Sequence, residues 1–274
     1  MRLVAVIFSS MVIVSVGLVS HYARSAALPE PGKEPGAKQL VFVELFTSEG
    51  CSSCPPADSL LKKLSEEQPV PGAQVVALEE HVDYWNRLGW TDPFSSAEFS
   101  QRQDEYARVF GNSGVYTPQM VIDGHTEFVG SHSSKAREAI QRAAAVPKAE
   151  VSLKQSDAIE NNSTTIEFKL EHSPSASAVQ DAELWLAVTE KGRQTDVTAG
   201  ENSGERLQHA AVVRKLSKIG TVASSGEFTK QVSVKLESGW KAENVSIVAL
   251  LVEKQSRRIV GGGVLALNDR GNIN

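Results

Sequence analysis

Residues 40–46, LVFVELF, form an almost unbroken apolar run of β-branched and aromatic side chains, the pattern of a strand covered on both faces. From Pro55 to about Gln68, Leu60, Leu61 and Leu64 share one helical face. Residues 74–78, QVVAL, read as a second strand. Ser96 to Phe110 carries Phe99, Tyr106 and Phe110 at helical spacing. Residues 118–122 and 127–129 read as short strands joined through Asp123-Gly124, a favoured hairpin turn. A helix then runs from Ser133 to Ala145, with Ser133 or Ser134 as its N-cap. Strand, helix, strand, helical insert, hairpin, helix predicts an α/β domain over residues 38–146.

Beyond Pro147 the period changes. Segments 151–153, 164–170, 182–189, 207–213, 228–236, 245–253 and 259–267 read as strands. Ile166, Phe168 and Leu170 alternate with polar residues, as do Leu184, Leu186 and Val188. Polar turns between these segments, with no long helix, predict a separate all-β sandwich over residues 148–267 and a tail at 268–274.

The first 27 residues stand apart. Arg2 precedes an apolar run to about Ser20, and Ala23, Ser25 and Ala27 offer small-residue cleavage positions, the layout of a secretory signal peptide. An uncleaved anchor is the alternative, although four serines dilute the run and its length is near the minimum for a bilayer. Pro29, Pro31, Gly32, Pro35 and Gly36 mark residues 28–37 as a linker. The folded part is therefore expected to be exported, with no stable membrane insertion after cleavage. A net charge of −5 and a pI near 5.8 argue against a nucleic-acid partner. With 2 cysteines, the chain is not a small disulfide-stapled scaffold.

Both cysteines lie in Cys51-Ser52-Ser53-Cys54, between the first strand and the first helix. Two intervening residues let the sulfurs close a Cys51–Cys54 disulfide, and a helix N-terminus favours a thiolate. Cys51 is then the exposed nucleophile, and Cys54 the more buried thiol that resolves a mixed disulfide. A static disulfide of so small a loop would add little entropic stabilisation. A structural zinc site would need four ligands, and no second C-x-x-C exists. Thr117-Pro118 opens a strand 64 residues after Cys54, where a thioredoxin-like fold keeps a cis-proline. There Tyr116, Thr117 and Pro118 would present backbone to an extended substrate.

Residues 43–58, VELFTSEGCSSCPPAD, together with HVDYW at 81–85, LGW at 88–90 and YTPQMVIDG at 116–124, resemble the DUF1223 family of secreted, thioredoxin-like proteins. Asn202, Gly204, Glu205, Leu207, His209 and the Val212-Val213-Arg214 run also fit its C-terminal pattern. The resemblance implies a thioredoxin-like fold and a bacterial envelope location, in the periplasm or outside the cell, and names no activity.

Glu44 is a carboxylate in an apolar strand, and a similar position in thioredoxins holds the buried acid that exchanges protons with the inner cysteine. The second strand should deliver His81 and Trp85 to the same sheet edge as Cys51, to tune the thiolate or contact substrate. Asn202, Glu205, His209 and Arg214 read as a structural polar group, with Arg214 able to pair with Glu205. The leading expectation is an exported thiol-disulfide oxidoreductase with no dissociable cofactor, acting on protein or small-molecule thiols and disulfides. The alternatives are a copper-handling protein using Cys51, Cys54 and His81 as a soft S₂N site, and a non-catalytic envelope binding module.

Overall fold

The computed structural model describes residues 38–173, 179, 181–223 and 226–268; the expected signal peptide, linker and residues 269–274 of the tail lie outside the described residues. Strand β1 (Gln39–Thr47) is buried from Val41 onward. Two prolines open helix α1 (Pro55–Glu67), where a missing N–H costs nothing, and Gln68 ends it in the left-handed region at φ 48°. The helix leads into β2 (Ala73–His81), parallel to β1. Helix α2 (Ala97–Phe110) starts at Ser96, whose hydroxyl accepts from Glu98 N, and stops at Gly111 with φ 71°. Strand β3 (Gln119–Ile122) runs antiparallel to β1 on its other side and pairs with β4 (Thr126–Val129), after which α3 (Ser133–Ala144) returns over the sheet.

Alternation along β1 sorts these helices onto two faces. Val41, Val43 and Leu45 pack with Ala57, Leu61 and Leu64 of α1 and with Ala136, Ala139 and Ile140 of α3. Phe42, Glu44 and Phe46 face the other way. Phe42 clusters with Phe99 of α2, and Phe46 meets Tyr106 edge-on at 5.9 Å.

The remaining strands are β5 (Ala149–Gln155), β6 (Ser163–His172), β7 (Glu183–Lys191), β8 (Gln194–Asp196), β9 (Arg206–Gln208), β10 (Ala211–Thr221), β11 (Thr229–Lys235), β12 (Val245–Val252) and β13 (Ile259–Ala266). Here the expected architecture is overturned. No thioredoxin-like α/β domain followed by a separate β-sandwich forms. Apart from the β8–β9 ribbon, the strands join one eleven-stranded mixed sheet in the order β11-β6-β5-β13-β12-β7-β10-β2-β1-β3-β4, accompanied by three α-helices among the described residues.

The reason is apolar surface. Phe42, Val76, Leu78 and Phe99 from the first half share one cluster with Ala187, Val213, Leu216, Val248, Leu250 and Ile259 from the second. Separating the halves would expose that cluster to water, at roughly 25 cal/mol per Å². Alternation in the second half correctly reports strands but not their company: β12 and most of β7 are buried on both faces.

The Asp123-Gly124 turn is a second tie. Both residues have positive φ, 48° and 61°. Asp123 N donates to Phe42 O, its carboxylate accepts from Phe42 N at 2.8 Å and pairs with Lys148 at 2.8 Å, and its carbonyl accepts from Ile259 N. A Cβ on Gly124 would press on Arg258 Cα at 3.1 Å, so glycine is required by contact as well as by φ.

Two local expectations also change. The residue preceding α3 is His132, which makes no side-chain cap bond, rather than Ser133 or Ser134. The strand expected over 207–213 is broken, because His209 and Ala210 both turn to bond Glu79.

A single shared cluster has a measurable consequence. Phe42→Ala is expected to cost ~3–5 kcal/mol, and urea unfolding should show one cooperative transition moved to lower denaturant. Two transitions, only one of them shifted, would mean that the halves fold independently.

Candidate functional site

Cys51 and Cys54 form a disulfide with their Cα atoms 5.4 Å apart, and Cys54 is the residue from which α1 starts. Thr117 Oγ1 donates to Cys51 Sγ at 3.3 Å and accepts from Trp85 Nε1 at 2.8 Å. The Thr117–Pro118 bond is cis. Gly50 packs against Trp85, where a Cβ would meet the Trp85 Cβ at 3.3 Å. Thus Cys51, Cys54, Trp85, Thr117 and Pro118 come together from three separate segments.

The expected contrast in exposure is absent: both cysteines have 0% of their surface accessible, while Ser52 and Ser53 are exposed. A loop from the second half of the chain also reaches this stretch. The loop between β8 and β9 places Asn202 Nδ2 on the carbonyls of Glu49 (2.8 Å) and Cys51 (3.1 Å). Its Glu201 carboxylate accepts from Ser52 N and Oγ at 3.1 and 2.7 Å.

Other expected residues stand elsewhere. Glu44 lies on the α2 face of β1, away from α1, where it accepts from Arg102 Nε and Tyr106 OH at 2.6 Å each. Its neighbour Glu80 is pushed well above the usual carboxylate range by burial and by the charge of Glu44. Glu44 is therefore part of a buried ion cluster, not a proton partner of Cys54. Tyr116 is turned aside, with its hydroxyl donating to Glu127 and its carbonyl accepting from Gln103 Nε2. Arg214 approaches Glu190 at 3.8 Å, not Glu205.

His81 is fully buried, and its Nδ1 is held by Asp92 Oδ2 at 2.7 Å. Among the described residues, the ligand-type side chains that converge are Glu79, His81 and His209. The soft site of Cys51, Cys54 and His81 is not assembled.

The acid on the α1 face is Asp58, four residues after Cys54 and so one helical turn along. It is buried and accepts from Thr47 Oγ1 at 2.7 Å. Burial, reinforced by the negative charge of Glu79, raises its carboxyl to about 7, against the pull of Thr47 and of both histidines. Glu79 behaves oppositely. Burial opposes its charge, yet the neighbouring imidazoles of His209 and His81 hold it down at about 2. His209 Nδ1 lies 2.7 Å from Glu79 Oε1, and its Nε2 lies 3.0 Å from Glu49 Oε1.

Sequence reasoning missed Glu49, Asp58, Glu79, Asp92 and Glu201, and took Asn202 and His209 as structural polar residues. One signal was available: Glu79 and His81 stand two apart in a strand, directly after the apolar run 75–78, so both lie on the same face. The partners of that pair come from far along the chain and leave no local mark.

The family model described as "Protein of unknown function (DUF1223)" matches residues 42–252. Protein AGR_C_4864 from Agrobacterium tumefaciens, a crystal structure, superposes with a TM-score of 0.62 at 27% identity, covering 88% of this chain and 100% of that one. HBP35 of Porphyromonas gingivalis gives a TM-score of 0.61 at 16% identity, over 88% of this chain and 79% of its own. At that identity the second likeness shows the fold alone. No curated relative matches the chain.

Asp58 supplies a pH test. With a folded value near 7 against about 3.9 in the unfolded chain, its contribution to stability is complete below about pH 4 and is lost as pH rises through 7. Asp58→Asn keeps a neutral side chain at every pH. Between about pH 5 and 8 the variant should therefore lose less stability than the wild type, by on the order of a few kcal/mol. Chemical denaturation at the two pH values measures the difference; an equal decline in both proteins would mean that Asp58 is ionised in the fold.

Proposed function

The chain belongs to the DUF1223 family, and we propose that this member is an exported thiol-disulfide oxidoreductase whose working group is the Cys51–Cys54 pair. The observation that carries the reading is the setting of the disulfide: at the start of α1, with the Thr117 hydroxyl on Cys51 Sγ and a buried acid one turn beyond Cys54. Export rests on the N-terminal pattern of Arg2, an apolar run and small residues. No helix of the described residues is long and apolar enough to cross a membrane.

In the reducing direction, the Cys51 thiolate attacks one sulfur of a substrate disulfide and forms a mixed disulfide, and one substrate thiolate leaves. Cys54 gives its proton to Asp58, and the resulting thiolate attacks Cys51 Sγ. That closes the Cys51–Cys54 bond and releases the second substrate thiolate. Two electrons pass from the dithiol to the substrate; the oxidising direction is the reverse. Asp58 suits the transfer because a group that titrates near 7 can hold or release a proton at neutral pH. The α1 N-terminus stabilises a thiolate left on either sulfur. Trp85, Thr117 and Pro118 form the wall beside Cys51 against which a substrate thiol or peptide would lie.

Neither cysteine has accessible surface, so exchange requires a local opening, and the β8–β9 loop bonded to the Cys51 carbonyl is the segment expected to lift. That same burial favours a second reading, in which the disulfide is a permanent brace of a non-catalytic envelope module.

One experiment separates the two. Asn202→Ala removes both loop-to-carbonyl bonds, and reduction of Cys51–Cys54 by a small dithiol, followed by thiol trapping and mass spectrometry, should become at least about tenfold faster; each lost bond is worth roughly 1 kcal/mol. Wild-type protein should turn over a protein disulfide substrate, and Cys51→Ser should abolish that turnover. A disulfide that resists reduction until the chain unfolds, in wild type and Asn202→Ala alike, would establish the brace.

A further inference from the structure

Behind the disulfide loop lies a second centre that the exchange chemistry does not use. Glu79 Oε1 is 2.7 Å from His209 Nδ1 and 3.5 Å from His81 Nε2, and the three side chains offer ligand atoms that all lie within 4.8 Å of one another. All three residues are at most 2% exposed. His81 Nε2 is aimed at this point and faces Glu79 Oε1 at 3.5 Å, too long and too poorly aligned for a well-made hydrogen bond. A fully buried ring nitrogen satisfied so poorly calls for an explanation.

The outer nitrogens strengthen the case. His81 Nδ1 is held by Asp92 Oδ2 at 2.7 Å, and His209 Nε2 by Glu49 Oε1 at 3.0 Å. Each imidazole thus turns one nitrogen to a carboxylate and the other to the common point, the arrangement that fixes ring orientation and raises basicity in metal-binding histidines. Those carboxylates are themselves pinned. Asp92 Oδ2 accepts from Glu49 N, and Asp92 Oδ1 from Phe94 N; Glu49 Oε2 accepts from Trp90 Nε1. Glu79 Oε2 accepts from Ala210 N at 2.6 Å, leaving Oε1 for the shared point.

We propose that Glu79, His81 and His209 form a binding site for a divalent transition-metal ion, with zinc(II) the best match to two imidazoles and one carboxylate. Hard cations such as magnesium and calcium prefer all-oxygen shells, and copper(I) prefers sulfur. Tetrahedral zinc spaces its ligand atoms roughly 3.3 Å apart, from bond lengths of about 2.0 Å; the observed ligand atoms span 4.8 Å, so the two imidazoles must close by about 1.5 Å on binding. The site joins β2 to the start of β10, and through Glu49 it reaches the segment two residues before Cys51. It does not depend on the sulfurs.

The test uses the purified chain with the disulfide closed and any free thiol alkylated. After chelator treatment, zinc(II) is added, excess is removed by gel filtration, and bound metal is measured by mass spectrometry. About one zinc per chain is expected, with X-ray absorption showing two imidazole shells and no sulfur. Cobalt(II) in the same site should give visible d–d bands without thiolate charge transfer. A Cys51→Ser/Cys54→Ser variant should bind equally well, His209→Gln should lose stoichiometric binding, and Asp92→Asn should bind roughly 10–100-fold more weakly, each checked for folding by circular dichroism. Wild-type protein that retains no zinc overturns the proposal whatever the variants do. So does a sulfur shell in the absorption spectrum, or undiminished binding by folded His209→Gln.

Discussion

The carboxylate of Glu79 is the point on which both the sheet and the site depend. Its two oxygens accept from His209 Nδ1 and Ala210 N, beside the parallel bridge between Glu79 and Val212. Those contacts splice β10 onto β2, and so join the strands of the second half to the helical half. A buried charge this deep is tolerated only with good partners, because desolvation costs several kcal/mol per ion. Glu79 has a backbone N–H and an imidazole directly bonded, with a second imidazole close by. The β9–β10 break that makes this possible also sends the β8–β9 loop back over the Cys51 carbonyl.

The sheet therefore separates two polar interiors. On the α1 face, Asp58, Glu79, His81 and His209 lie behind the disulfide loop. On the α2 face, Glu44, Glu80, Arg102 and Tyr106 form an ion cluster with Arg102 bonded to both Glu44 and Tyr106. Strand alternation keeps them apart although Glu79 and Glu80 are adjacent in sequence. The two acids consequently differ: Glu79 stays ionised, while Glu80, beside another carboxylate, favours its neutral form. Proximity in sequence says little about shared chemistry here.

Cover over the disulfide changes how a C-x-x-C at a helix start is to be understood in this chain. Thr117, Trp85 and the start of α1 surround the pair, and Asn202 and Glu201 bond the backbone of Cys51 and Ser52. Under the proposed exchange chemistry, selectivity would be exercised by whatever displaces this loop, before any sulfur is reached.

The sequence by itself determined the elements. Apolar runs, Leu spacing in α1, Ser96 at the start of α2 and Asp123-Gly124 at the hairpin act within a few residues of one another, and these elements formed where those local rules put them. The strand expected over 207–213 was instead broken by the distant Glu79. The C-x-x-C at the head of α1 and Thr117-Pro118 before β3 were legible for the same reason. Tertiary structure alone decided that eleven strands would build one sheet rather than two domains, because the alternating pattern reveals that a strand face is covered and not by what. It also decided which carboxylate accompanies Cys54: both Glu44 and Asp58 are acids near the motif, and only the face assignment of β1 and α1 distinguishes them. Last, His81 and His209 are 128 residues apart, and only the β2–β10 junction brings their rings to a centroid distance of 4.8 Å. No local propensity encodes such a meeting; it follows from packing the whole chain.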